Sequence, residues 1–143
     1  MRRNILLGVV AVALTYLYVL ALVYGIALVA ALPVPATWAR VFPGRHSGAA
    51  SWILSSHFVV VVLVSVPIAW MFIRAFGRAS VALSVWVALL ILGLFEIPLI
   101  LANSNGGAVF PWWVWLTDVA QFAGSLPILV LLFRRLRSDK DLA

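Results

Sequence analysis

Cysteine is absent, and charge is scarce. Zero Cys excludes disulfides, thiolate metal sites, iron–sulfur ligation and a cysteine nucleophile. Charged side chains make up 10% of the 143 residues, against about 25% in an average soluble domain. A water-soluble fold of this size cannot cover itself with so few, and the 66% hydrophobic content equally excludes a disordered chain. No glycine-rich phosphate loop, HExxH pair or GxSxG elbow occurs.

What the chain has instead is long apolar runs, with a mean hydropathy of +1.18. About 20 apolar residues cross a bilayer as a helix. Four runs reach that length, at about residues 5–32, 52–73, 79–101 and 112–133. They predict an all-α polytopic membrane protein: an antiparallel four-transmembrane-helix bundle in a single membrane domain, 1–143, with no room for a soluble one. The first run follows Arg2 and Arg3 as a signal peptide would. It is far longer than the 7–15 residues (roughly) of such a segment's apolar core, so it reads as a retained helix. A β-barrel needs short strands of alternating polarity, and Val59-Val60-Val61-Val62-Leu63-Val64 does not alternate.

The basic residues give orientation. Arg2, Arg3, Arg74, Arg78, Arg134, Arg135, Arg137 and Lys140 fall on one side of a four-helix weave, and only Arg40 and Arg45 on the other. Eight against two predicts cytoplasmic N- and C-termini by the positive-inside bias. The location expected is a bacterial cytoplasmic (inner) membrane. The basic tail, 134–143, reads as a topology signal and an anchor to anionic lipid, not as a nucleic-acid-binding element.

The outer side carries more varied sequence. Pro33 and Pro35 end the first helix, and a short interfacial segment follows at about 36–42, with Trp38, Val41 and Phe42 on one face. Trp38, Trp52, Trp112, Trp113 and Trp115 read as an interfacial aromatic belt. The turn-rich 43–48 segment and the Asn103–Gly107 link are outer loops. On the first helix, Gly8, Ala11, Thr15, Tyr18, Leu22 and Gly25 recur at heptad-like spacing and predict its inward seam. Pro67, Pro98 and Pro127 lie inside helices, where each removes an N–H and bends its helix.

Leaving tyrosines aside, three titratable side chains lie within the runs: His57, Glu96 and Asp118. Such groups usually face a bundle interior or a wet cavity. Each is five or six residues from its run's outer end, so all lie at about one depth, roughly 7–9 Å in. The expectation is an outward-facing polar pocket lined by Tyr24, His57, Glu96, Asp118 and Gln121.

Several roles for that cluster are open. It could hold helices together by hydrogen bonds, or bind or pass a cation, proton or small polar molecule. A divalent metal on His57, Glu96 and Asp118, with His46 as a fourth ligand, suits nitrogen and oxygen donors, although no local spacing supports it and no cofactor is expected. Acid–base catalysis by His57 and a carboxylate is the last. The leading expectation is a non-catalytic binding or accessory module, a subunit or an immunity-type protein, in contact with the lipid bilayer. It would act as a homo-oligomer or beside a larger membrane-protein partner. The alternatives are an oligomeric proton- or cation-coupled transporter using Glu96 and Asp118, and a membrane enzyme.

Overall fold

The computed structural model describes residues 2–41, 47–98, 100–101 and 112–140. Among them every regular element is helical. The elements are α1 (Arg2–Ala30), α2 (Ala36–Val41), α3 (Ser47–Phe76), a 3₁₀ turn (Gly77–Ala79), α4 (Ser80–Ile91), a π-helical segment (Leu92–Glu96) and α5 (Trp112–Lys140). Three helical stretches are long and apolar enough to cross a membrane: Ile5–Ala30, Gly48–Glu96 and Trp113–Arg137. The second contains α3, the 3₁₀ turn, α4 and the π segment.

That 49-residue stretch is interrupted where the backbone demands it. Gly77 has φ +53°, a conformation that costs any L side chain about 1–2 kcal/mol. Ser80 Oγ then donates to the Gly77 carbonyl at 2.7 Å and closes the turn. Beyond it α4 packs on α5, as α3 does.

The core lies where α1, α3, α4 and α5 meet. Tyr18 and Leu22 of α1, Val61, Ile68 and Phe72 of α3, Val87 and Ile91 of α4, and Phe122, Leu126 and Val130 of α5 form one buried cluster. Leu54, Val61, Ser65, Ile68 and Phe72 of α3, all buried along with Ala69, step by seven, four, three and four residues. That seam suits small-angle helix packing. On α1 the predicted seam holds at Tyr18 and Leu22, both buried. It also holds at Gly25, where an added Cβ would come within 2.5 Å of Val60 Cγ1. It fails at Gly8, which is exposed and where an added Cβ would meet nothing within 4 Å. Large apolar side chains such as Val12, Leu28, Leu63 and Leu94 project outward. An apolar surface of this extent suits lipid rather than water.

Three boundaries differ from the sequence expectation. α3 starts at Ser47 rather than near 52, because the small residues Gly48, Ala49 and Ala50 add little hydropathy yet pack, with Gly48 and Ala50 buried. α5 runs to Lys140, so the basic tail is largely helix; Arg is a strong helix former, yet its charge ends a run read by hydropathy. The third run is not a single α-helix, because it passes into the π segment at Leu92. There the Ile97 N–H donates to the Leu92 carbonyl, five residues back. Pro98 gives a reason: its ring would strike the carbonyl four residues earlier, on Leu94, and a wider turn relieves this.

The short α2 docks on α3. Pro35 accepts from the Trp38 N–H at 2.9 Å. The Trp38 indole donates to Ser51 Oγ at 3.0 Å, and its ring meets Trp52 edge-on at 5.6 Å between centroids. Two of the predicted belt tryptophans therefore pack together. Trp113 is exposed and Trp115 partly so; the side chain of Trp112 lies outside the described residues.

Candidate functional site

Glu96 reaches the interior through the π segment. The buried positions of α4 are Ser80, Ser84, Val87, Ala88 and Ile91, an α-helical face. Continued in the same helix, that face would next present residues 94 and 95. Both are exposed, Leu94 at 67% and Phe95 at 44%, and the next buried residue is Glu96, at 5%. The step from Ile91 is five residues, the hydrogen-bonding interval of a π-helix.

His57 and Asp118 form the second polar group. His57 Nδ1 lies 2.9 Å from Asp118 Oδ1, with the side chains 13% and 14% exposed. In the tautomer that carries its proton on Nδ1, the imidazole donates this bond to the carboxylate oxygen. Phe122, one turn after Asp118, meets the imidazole edge-on at 5.8 Å. The pair joins α3 to α5, the two helices that share the longest seam.

These groups line one partly open cavity of about 300 Å³, near the lower limit for ligand pockets. Its walls are mostly apolar: Val19, Leu22, Val23, Ile26 and Ala27 of α1, Ile91, Phe95 and Phe122. Leu22, Ile91 and Phe122 belong also to the core, so the cavity is closed on that side by packed side chains. Glu96 Oε2 is buried and has no hydrogen-bond partner among the described residues; Gln121 Oε1 is in the same position. A buried acceptor without a partner costs about 1–3 kcal/mol, and a bound donor would recover that.

The structure thus brings His57, Glu96 and Asp118 to one cavity and leaves two expected members out. Tyr24 points away and is 68% exposed. It lies off the heptad-like seam of α1 that puts Tyr18 inward, and its level along the helix alone does not carry it into the cavity. The inward tyrosine is Tyr18, which hydrogen-bonds to Ser65 within the core. Gln121 is half-buried but does not line the cavity. The expected polar pocket is an apolar cavity with three polar heads.

No three or more His, Asp or Glu side chains are placed to hold a metal ion among the described residues. His46 lies outside the described residues. Comparison with protein-family models, with curated proteins and with solved structures finds no match.

Proposed function

We propose that this chain is a four-pass protein of the bacterial cytoplasmic membrane, with both termini cytoplasmic, that acts as a non-catalytic binding module. It holds a small amphipathic molecule in the cavity between α1 and the π segment and serves as an accessory subunit, or an immunity-type protein, to a larger membrane partner or its own copies. The observation that carries the binding reading is Glu96: a 5% exposed carboxyl with an unpartnered oxygen in a mostly apolar wall. That arrangement suits a ligand with one hydrogen-bond donor and an apolar body. The volume, roughly that of ten water molecules, limits the ligand to a ring or a short chain.

Binding is favoured over passage because Val61, Leu126 and Val130, all buried, fill the core beyond the cavity. The four-pass reading places a reversal at the Gly77 turn, between Arg74 and Arg78, which agrees with the eight-to-two division of basic residues.

The test uses the full chain in neutral-lipid nanodiscs, with cyclohexylmethanol and benzyl alcohol as probes. Saturable NMR shifts are expected at Leu22, Glu96 and Asp118, and Ala27→Phe, which fills the cavity, should abolish them. Shifts that never saturate, or that persist in Ala27→Phe, would refute the binding reading. For the accessory role, mild-detergent purification should yield a stoichiometric assembly; a lone monomer would count against it.

A further inference from the structure

A second site lies near the far ends of α3 and α5, apart from the Glu96 cavity. Trp70, Ile73 and Arg74 of α3 face Phe133, Leu136 and Arg137 of α5 across a groove of about 540 Å³. Arg74 stacks on Trp70, its Cζ 4.9 Å from the ring centroid. A guanidinium held over an aromatic ring is kept in place by cation–π attraction and still has N–H donors that can hold phosphate. His57–Asp118 is the one ion pair among the described residues, so both arginines are without a carboxylate partner there. Helix C-termini carry about half a negative charge each, less than the full positive charge on each arginine.

We infer that this groove binds one anionic glycerophospholipid, its phosphodiester held by Arg74 and Arg137 and an acyl chain laid along Ile73, Phe133 and Leu136. Charge complementarity selects an anion, and the apolar floor selects one with a hydrocarbon tail. Trp70 stands where an interfacial aromatic would, between the two. Basic pockets between membrane helices on the cytoplasmic side hold anionic head groups in this way, and the basic residues put this end of the bundle on that side. The site makes a structural element of what would otherwise be diffuse attraction between a basic tail and a charged surface.

The experiment is native mass spectrometry of the full chain from micelles containing equal amounts of phosphatidylglycerol and phosphatidylcholine. Wild type should retain one phosphatidylglycerol in preference to phosphatidylcholine, and Arg74→Gln with Arg137→Gln should remove the preference. Each arginine is expected to contribute about five-fold, the effect of one basic residue near an anionic surface. Arg134→Gln with Arg135→Gln removes the same charge outside the groove and should leave the preference in place. Equal retention of the two lipids by wild type would overturn the inference, as would equal loss in the two double variants. Displacement of the lipid by millimolar glycerol phosphate would make the site one for soluble anions, and a lipid-free dimer would make it a contact between copies; either result also overturns it.

Discussion

Tyr18 on α1 and Ser65 on α3 share a hydroxyl–hydroxyl hydrogen bond of 2.9 Å, with both side chains at 0% exposure. It is a polar fastening between these helices in a mostly apolar seam. Tyr18→Phe and Ser65→Ala should each destabilise the fold by about 1–2 kcal/mol, and the double variant should cost less than their sum by about 0.6 kcal/mol. Equilibrium unfolding in bicelles measures this double-mutant cycle.

Glu96→Leu should leave the fold as stable as wild type or more so, because it removes a buried carboxyl with an unpartnered oxygen. The same variant should lose binding of hydroxyl-bearing probes to the cavity. Unfolding and NMR titration on one sample separate the two effects. A loss of about 3 kcal/mol or more on Glu96→Leu would show that the carboxyl is a structural tie.

His57→Ala strands Asp118 in the cavity wall, whereas Asp118→Asn keeps an acceptor for the imidazole N–H. The first should cost about 1–3 kcal/mol and the second clearly less. Thermal unfolding of the two variants in the same lipid checks the order.

Gly25→Leu should separate α1 from α3, since even a Cβ there would stand 2.5 Å from Val60 Cγ1. Overpacking of this kind costs about 1–3 kcal/mol. Gly8→Leu, at a position with open space, should be neutral. The contrast is read from unfolding midpoints.

The absence of cysteine makes topology directly testable, because each introduced thiol reports alone. Thr37→Cys and Ser104→Cys should react with a membrane-impermeant maleimide added to intact cells. Ser138→Cys should react only after the cells are opened. The reverse pattern would invert the proposed orientation.

The helices were legible because hydropathy is a property of the sequence read along one dimension, and runs of apolar residues need no tertiary information. The common level of His57, Glu96 and Asp118, which line one cavity, was legible for the same reason, since level along a helix is a residue count times a fixed rise. Direction was legible only in part. The heptad-like spacing on α1 put Tyr18 inward, where it is buried, whereas Tyr24 was taken inward from its level alone and is exposed; elsewhere lipid-facing and core-facing residues are both apolar, so composition does not give the angle around a helix. The widened turn at Leu92–Glu96 was equally hidden, because nothing in Leu-Gly-Leu-Phe-Glu distinguishes i+4 from i+5 bonding. Pro98, which makes the wider turn intelligible, reads from sequence only as a bend.

The π segment also carries a rule about length. Each residue added to an α-helix turns it by about 100°, so deleting one residue between Leu92 and Phe95 would let the helix revert to ordinary α geometry. Glu96 would then occupy the fourth position after Ile91, on the established inward face, without the wide turn, and Pro98 would again press on the carbonyl before it. Inserting one instead would carry the acid around toward the hydrocarbon. The inward face thus accepts the acid four residues after Ile91 in an α turn or five in a π turn, and of the two only the π turn relieves Pro98.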